Sequence, residues 1–447
     1  MPAVVVREYA RLTTAPLAQS TLDAAHISPS AFSWLVKLGQ QFKANGLQLL
    51  ELDDQQWLRL DNYVGVLESP CGQVIEILPK HRVESDCKQS ARKLLRKLIL
   101  NALQLKQRET EHTDIERFDA PLPEWLMAQF LTELDSLVKR GLRFDYQRVE
   151  EPQRFLRGQL DVVKQLRQPA GREHIFNIRH DIFTANRPEN RLLKAALLRV
   201  CKTTQDNDNW RLAHELQSIL QELPASTDIQ ADFTAWQSDR LMAHYQSIKP
   251  WCEFVLSQHV PLAVQGQWQG ISMLFPMERL FESYVATALD SAAKCIPGIN
   301  GEVNTQLASK HLCTHQGKDF FQLKPDLQLL LGAKCWIIDT KWKLLDAASR
   351  ENKYGLSQQD FYQLFAYGQY YLGGEGTLVL VYPAWQKFPA AAQLADFRFN
   401  DKLTLWVLPF DLEAEDAAKN LISNLQNAFK EQLNLSEAVA ALAEVET

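Results

Sequence analysis

Residues 324–343, with the sequence KPDLQLLLGAKCWIIDTKWK, constrain the fold and the chemistry of this chain more than any other stretch. Two short apolar runs, at residues 327–331 and 335–338, flank a turn that begins at Gly332. Short runs rich in Leu and Ile around a Gly turn are typical of a β-hairpin. The sequence therefore predicts a hairpin that has charged residues where its strands begin and end.

Three charged side chains are expected to meet at one end of this hairpin. Asp339 and Lys341 are two residues apart, so both side chains leave the same face of the strand, and Asp326 stands at the start of the partner strand. Two carboxylates and an ammonium suit a divalent metal and an activated water. We expect Asp339 and Lys341 to point from the strand end toward solvent. The expected cofactor is Mg²⁺, or Mn²⁺ in vitro.

Two segments with helical spacing flank the hairpin, at residues 276–289 and 359–372. Their polar residues are Glu278 and Glu282 upstream, and Gln363 and Tyr367, which are one turn apart on a shared face, downstream. A helix with an acid, a PD…DxK hairpin and a QxxxY helix, in that order, resemble the PD-(D/E)xK nucleases and their RecB-like branch. The resemblance implies metal-dependent cleavage of phosphodiester bonds. The alternative is a solvated hairpin with ordinary surface charges.

The composition is that of a globular protein with two or three domains. The chain has 447 residues, which exceeds one ordinary core. Its seven cysteines are scattered and never form a CxxC pair, which fits a reducing compartment. No apolar run is long enough to cross a membrane, and the start lacks the pattern of a signal peptide. We therefore expect a cytoplasmic protein.

The net charge of −6 bears on how the chain could bind DNA. An acidic chain holds DNA poorly by itself, so a DNA-holding partner or a local basic patch is expected. The basic segment at residues 90–105 carries Arg92, Lys93, Arg96 and Lys97. It is interpreted either as a solvated helix face or as a contact to DNA or to an acidic partner.

We predict an α/β protein of multidomain α+β type, with three consecutive regions. Residues 1–150 form a mixed α+β domain that binds a partner, residues 151–270 are mostly helical, and residues 271–447 contain a PD-(D/E)xK restriction-endonuclease-like core. Residues 62–80 in the first region alternate between apolar and polar around Ser69-Pro70-Cys71-Gly72. This pattern predicts a further hairpin.

Four short sequences are distributed along most of the chain: IEILPK at residues 75–80, FLRG at 155–158, PENRLL at 188–193 and the PD…DTKWK hairpin. Together they resemble the McrC family, the nuclease component of McrBC modification-dependent restriction systems. Many families share the nuclease motif, whereas the other three sequences point to this one.

The resemblance implies a machine of two components. A separate AAA+ GTPase subunit resembling McrB would recognise methylated double-stranded DNA, form a ring and translocate. The present chain would dock its N-terminal part in that ring, with the hairpin at residues 62–80 as the candidate for insertion, stimulate nucleotide hydrolysis and cut the DNA. It contains no GxxxxGK[ST] loop, so the motor must be another chain. Two other interpretations are a RecB- or Cas4-like repair nuclease and a non-catalytic activator of an AAA+ partner.

The nuclease resemblance also assigns metal ligands. They are Asp326, Asp339, the backbone carbonyl of Thr340 and Glu282, with Glu278 as the competing helix carboxylate. Hard oxygen donors and retained waters are what Mg²⁺ prefers.

The remaining candidates act on the water or on the DNA. Lys341 would hold or help to deprotonate the attacking water and offset charge on the phosphate. Gln363 and Tyr367 would position the scissile strand or the lysine. Lys343 is interpreted equally as a phosphate contact or a solvated charge. The segment HLCTH at residues 311–315 lacks a second pair of zinc ligands, and no GxSxG elbow supports serine-hydrolase chemistry.

Overall fold

The computed structural model describes residues 3–44, 46–54, 56–80, 88–103, 105, 121–169, 171–172, 174–237, 240–256, 273–296, 301–332, 334–392 and 394–426. The chain divides into two compact units, one of residues 1–104 together with 272–447, and one of residues 105–271. These units do not coincide with the three consecutive regions predicted above. The reason is a long-range pairing, in which Met273–Pro276 lies antiparallel to Tyr63–Glu68. No local sequence pattern encodes such a pairing.

The elements confirm a mixed α/β protein. Its described strands are β1 (Val4–Arg7), β2 (Arg11–Thr13), β3 (Ala24–His26), β4 (Leu50–Asp54), β5 (Trp57–Leu60), β6 (Tyr63–Glu68), β7 (Val74–Leu78), β8 (Asp145–Gln153), β9 (Gln159–Leu160), β10 (Phe176–Thr184), β11 (Met273–Pro276), β12 (Gly301–Thr305), β13 (Lys310–His315), β14 (Lys318–Leu323), β15 (Leu327–Leu331), β16 (Lys334–Thr340), β17 (Gly376–Pro383), β18 (Leu394–Arg398) and β19 (Leu403–Phe410). Its α-helices are α1 (Pro29–Ala44), α2 (Lys88–Ala102), α3 (Leu122–Arg140), α4 (Val162–Leu166), α5 (Pro188–Thr203), α6 (Asn207–Ile219), α7 (Ile229–Ala235), α8 (Lys249–Leu256), α9 (Met277–Lys294) and α10 (Gln358–Tyr371). Residues 240–245 and 353–355 form 3₁₀ turns, and residues 417–426 are helical.

The predicted N-terminal hairpin is present as β6 and β7, but it lies inside a sheet with the order β1-β7-β6-β11. Strand β6 is buried along nearly its whole length. A Cβ added at Gly65 would lie 2.0 Å from the carbonyl oxygen of Met273, so the pairing with β11 requires glycine there. At the hairpin tip, residues 70–72 are exposed between buried Ser69 and Gln73. Insertion of the whole hairpin into a partner, as expected from the sequence, would break this sheet.

The interpretation of the basic segment as a solvated helix face holds for part of helix α2. Arg92 forms an ion pair with buried Glu76 at 2.6 Å, and Arg96 is buried. Lys97 donates a hydrogen bond to the carbonyl oxygen of Leu412 at 2.8 Å. Of the four basic residues, Lys93 and Lys97 are exposed, Arg92 is partly buried and Arg96 is buried. The helix packs against β7 and α9, and its two arginines lie on the more buried side.

The predicted PD…DxK hairpin is confirmed as β15 and β16, in the middle of a six-stranded mixed sheet with the order β12-β15-β16-β17-β19-β18. The pairs β16–β17 and β17–β19 are parallel. Strand β17 is a nearly continuous buried apolar run, as expected of a parallel strand covered on both faces. Helix α9 precedes the sheet, and α10 connects β16 to β17. The predicted helices around the hairpin are therefore present.

The second unit combines a small sheet, with the order β8-β10-β9, and the helices α3 to α8. The predicted helical character applies to α5–α8, whereas β8 and β10 form a long antiparallel pair. None of the described helices in either unit combines the length and the apolar character that a membrane crossing requires. The six cysteines in the described part of the chain are free thiols.

Candidate active site

The register of the hairpin brings Asp326 and Asp339 to the same end of adjacent strands. Leu327 pairs with Ile338, and in this antiparallel register Asp326, which directly precedes β15, lies at the same end as Asp339 of β16. The backbone N–H and the hydroxyl of Thr340 both donate to Oδ2 of Asp326, at 2.7 and 2.9 Å. Burial raises the pKa of Asp326, although the bonds from Thr340 and the charge of Lys341 oppose this. One oxygen of Asp326 is thus held by the end of β16.

Asp339 is buried, in contrast to the expectation that it faces solvent. Its side chain is 2% exposed, because β16 lies between β15 and β17 in the sheet. Oδ2 lies 2.8 Å from Nζ of Lys341. Neither carboxylate oxygen accepts a hydrogen bond of normal geometry within the described part of the chain. Burial, and then the charge of Asp326, raise the pKa of Asp339 to about 7.

Lys341 directly follows β16 and is partly exposed, with 28% of its side chain accessible. Its backbone N–H donates to the carbonyl oxygen of Val381 in β17 at 2.9 Å, which ties the motif to the neighbouring strand. Burial acts to lower the pKa of Lys341, but the charges of Asp339, Asp326 and Asp360 outweigh it and raise the pKa. The ammonium is therefore held in its charged form at the edge of the aspartate pair.

Glu282 is the helix carboxylate on the side of the aspartates. It is partly buried on α9, and burial followed by the charge of Asp326 raises its pKa to about 7. Glu278 is exposed, and its charge acts on Tyr9 and Tyr63. The geometry thus favours Glu282 over Glu278 as the third acid.

Gln363 and Tyr367 contact each other, as the shared helix face predicts. Nε2 of Gln363 donates to Oη of Tyr367 at 2.7 Å, and that hydroxyl donates to the carbonyl oxygen of Lys324 at 2.9 Å. The pair therefore holds the chain two residues before Asp326. Lys343 donates to the carbonyl oxygen of Gly355 at 2.6 Å and is otherwise exposed.

Two further residues near the site were not found from the sequence. Gln306, which has a φ of +50°, donates through its backbone N–H to the carbonyl oxygen of Asp326 at 2.9 Å and through its side chain to Glu282. Asp360, in the first turn of α10, adds negative charge near Asp339 and Lys341. Asp360 has a sequence signal, since it shares a helix face with Gln363 and Tyr367. The position of Gln306 depends on the pairing of β12 with β15 and has no local signal.

The site offers two aspartates close together rather than a closed cage. Within the described residues, no three or more Asp, Glu, His or Cys side chains are gathered as a metal site. This arrangement does not supply all the ligands of a metal ion from protein side chains. It matches the usual binding of Mg²⁺, through one or two carboxylates and several waters. The oxygens of Asp339, which are buried without normal hydrogen bonds, are the feature of this site that a cation would complete.

Comparison with known proteins gives one family and several structures. The model of a family described as "McrBC 5-methylcytosine restriction system component" matches residues 58–383. A chain in the refined half-complex from the tetradecameric assembly of Thermococcus gammatolerans McrB AAA+ hexamers with bound McrC has a TM-score of 0.68 at 18% identity. The match covers 96% of the present chain and 100% of that chain. At this identity the likeness shows a shared fold.

A second chain, in the cryo-EM structure of the Thermococcus gammatolerans McrBC complex, matches with a TM-score of 0.49 and 17% identity over 65% of the present chain and 88% of its own. A comparison with curated protein sequences gives no significant match.

Proposed function

Because this chain belongs to the family of McrBC 5-methylcytosine restriction system components, we propose that it is the DNA endonuclease subunit of a modification-dependent restriction system. The observation that carries this proposal is the cluster of Asp326, Asp339 and Lys341 at one end of the β15–β16 hairpin. Asp339 and Lys341 are 2.8 Å apart, and the buried oxygens of Asp339 lack normal hydrogen bonds within the described residues.

The proposed metal ligands are Asp326, Asp339 and the main-chain carbonyl of Thr340, with Glu282 as a further carboxylate. When bound, Mg²⁺ supplies positive charge that polarises the phosphate and acidifies a water. Oδ2 of Asp326 already accepts two bonds from Thr340, so Oδ1 is the oxygen of this residue that remains for a ligand. This incomplete donor set leaves room for water and for phosphate oxygens.

Lys341 has the position of a group that acts on the water or on the phosphate. Its ammonium is charged, partly exposed and adjacent to Asp339. From there it would hold the attacking water and offset the negative charge that accumulates on the phosphate as the water oxygen bonds to phosphorus and the P–O bond breaks. Gln363 and Tyr367 would keep the start of β15, and with it Asp326, in place.

The proposed partner is an AAA+ GTPase subunit that binds methylated double-stranded DNA. The chain has no GxxxxGK[ST] loop of its own, and in the Thermococcus gammatolerans half-complex McrC is bound to McrB AAA+ hexamers. The second unit carries an exposed aromatic cluster in which Phe183 contacts Phe144 and Tyr146, with ring centroids 5.2 and 5.0 Å apart. Tyr146 is 70% exposed and Phe183 is 61% exposed. Exposed aromatic clusters mark interaction surfaces, and we assign this one to the partner.

Family membership favours restriction over a RecB- or Cas4-like repair function. The intact aspartates and lysine favour a nuclease over a non-catalytic activator. The decisive experiment reconstitutes the chain with its AAA+ partner and assays methylated and unmethylated plasmid with Mg²⁺ and GTP. We expect cleavage that requires the partner, Mg²⁺ and nucleotide. Nucleotide-independent cleavage of ordinary plasmid by the chain alone would contradict the restriction assignment, and partner stimulation without any cleavage would favour the activator.

A further inference from the structure

A buried glutamate near the N-terminus contacts the catalytic motif. Glu8 follows β1 and has no exposed surface. Its Oε1 accepts hydrogen bonds from the backbone N–H of Lys80 at 2.6 Å and from Nε1 of Trp342 at 2.8 Å. Its Oε2 is buried and has no hydrogen-bond partner among the described residues. Glu8 therefore connects the end of β7 to the residue that directly follows Lys341.

Trp342 transmits this contact to the site. Its indole is buried and packs on Phe281 of α9 at a ring-centroid distance of 5.4 Å. Phe281 is the neighbour of Glu282 in the sequence. Lys341 is thus fixed on one side by its backbone bond to Val381 and on the other by the anchored Trp342. Lys341 directly follows the last residue of β16, so the bond to Val381 is the last pairing of this segment with β17 among the described residues.

The surroundings of Glu8 are not those of an ordinary packing residue. A buried carboxyl with one unpaired oxygen is unfavourable, and an apolar side chain would fill the same space at a lower cost. The next residue, Tyr9, has a φ of +63°, a conformation that bulky residues rarely adopt. Such unfavourable features persist where the surrounding structure requires them, and they concentrate at functional sites.

We infer that Glu8 is a positioning residue, which holds Trp342 and thereby sets the place of Lys341 relative to Asp339. This inference rests on the proposed nuclease function for its catalytic part. Its structural part, the dependence of the motif on Glu8, can be tested without any cleavage. A misplacement of a catalytic group by about 1 Å costs roughly a hundredfold in rate.

The test compares Trp342→Phe, Glu8→Ala and Glu8→Gln in the full chain. Trp342→Phe removes the indole N–H and keeps an aromatic ring against Phe281, whereas Glu8→Gln keeps an oxygen that accepts the same bonds. The matched control is Trp385→Phe, because Nε1 of Trp385 donates to the carbonyl oxygen of Leu345 at 2.5 Å, away from Glu8. The first readout is amide hydrogen exchange of residues 339–343. The second is plasmid cleavage by the complex with the AAA+ partner, resolved into kcat and KM.

We expect amide exchange to be faster than wild type in Trp342→Phe and Glu8→Ala, and equal to wild type in Glu8→Gln and Trp385→Phe. In Trp342→Phe and Glu8→Ala, kcat should fall by about 10- to 100-fold at unchanged KM. Unchanged exchange in Trp342→Phe would overturn the inference, as would faster exchange with wild-type kcat in an active complex. If Trp385→Phe lost as much amide protection and kcat as Trp342→Phe, or if Glu8→Gln behaved like Glu8→Ala, the effect would be one of general packing, and the inference would also be overturned. If the wild-type complex cuts no DNA at all, the proposed function fails, and the exchange data still decide whether Glu8 positions the motif.

Discussion

Oδ2 of Asp339 lies 2.8 Å from Nζ of Lys341, although only 2% of the aspartate side chain is exposed and 28% of the lysine side chain is. The pair therefore joins a buried carboxyl group to a partly exposed ammonium at the end of one strand. This asymmetry separates their expected roles. In the proposed function, the buried aspartate would hold the cation and the partly exposed lysine would act on the water or the phosphate.

Asp339→Asn is expected to abolish cleavage while the folded chain is retained. Loss of a metal carboxylate reduces the rate by a factor of about 10² or more. Since burial already disfavours the charged form of Asp339, the neutral amide should leave the melting temperature equal or higher. Asp339→Ala, in contrast, opens a buried cavity and should lower it. Plasmid cleavage and phosphate release by the AAA+ partner, measured on the same complex, check this prediction. Unchanged cleavage would show that the hairpin is not the active site.

Lys341→Met is expected to reduce the rate of DNA cleavage by a factor of about 10² or more, because it removes the ammonium that acts on the water or on the phosphate. The variant also leaves Asp339 without its ion pair. The matched comparison is Lys343→Ala, since the ammonium of Lys343 donates to the carbonyl oxygen of Gly355. We expect Lys343→Ala to stay within about threefold of wild type, as for a solvated charge. A large rise in KM for DNA in Lys343→Ala would instead identify a phosphate contact.

Tyr367→Phe removes the hydroxyl that joins Gln363 to the carbonyl oxygen of Lys324. The lost bond should destabilise the chain by about 1 kcal/mol and reduce cleavage by roughly tenfold, because Asp326 is less well fixed. Tyr371→Phe is the matched control, since its hydroxyl donates to the carbonyl oxygen of Leu323 at 2.8 Å, one residue farther from Asp326. The free energy of unfolding in urea should fall by a similar amount in both variants, whereas the cleavage rate should fall mainly in Tyr367→Phe. Equal cleavage in the two variants would contradict a positioning role for Tyr367.

The stability of the chain should depend on pH through Glu8. Burial raises the pKa of Glu8 from 4.5 to about 7 in the folded state. Below pH 4.5 the group is protonated in both states, and between pH 4.5 and 7 unfolding releases its proton, so stability falls as the pH rises. At about 1.4 kcal/mol per pH unit, the total effect is about 3 kcal/mol. Glu8→Gln removes this dependence, so its free energy of unfolding should exceed that of wild type increasingly toward pH 8.

Urea unfolding between pH 5 and pH 8 checks this, with the exposed Glu278→Gln as the control variant. A difference between Glu8→Gln and wild type that stays constant with pH would show that Glu8 does not titrate in this range.

The aromatic cluster of the second unit should contribute to binding of the AAA+ partner. Tyr146→Ser combined with Phe183→Ser removes two of the three exposed rings, and the loss of an aromatic side chain that is a hot spot of an interface costs more than about 1 kcal/mol. We therefore expect the partner to bind at least about tenfold more weakly, with an unchanged melting temperature. Trp210→Ser is the matched control, because this ring is 52% exposed in the same unit outside the cluster. Wild-type affinity in the double variant would place the docking surface elsewhere.

The sequence by itself determined the elements of the site and the family. The two apolar runs around Gly332, the helical spacing before and after them, and the pairs Asp339–Lys341 and Gln363–Tyr367 all depend on residues that are near each other in the chain. Local backbone geometry decides which of these side chains share a face, so the hairpin, both helices and the two contacts were predictable. The short sequences that resemble the McrC family also predicted the family of the chain, and the family comparison confirmed this prediction.

Only the tertiary structure decided how exposed these groups are and what supports them. Asp339 is buried because β17 and β19 extend the sheet beyond β16, and Arg92 of α2 pairs with buried Glu76 because the helix packs against β7. The contact between Glu8 and Trp342 joins residues 334 positions apart, and Gln306 reaches Asp326 through the pairing of β12 with β15. Such contacts follow from how distant segments pack together to bury their apolar faces. That packing is a property of the whole chain and leaves no periodic signal in any short stretch of it.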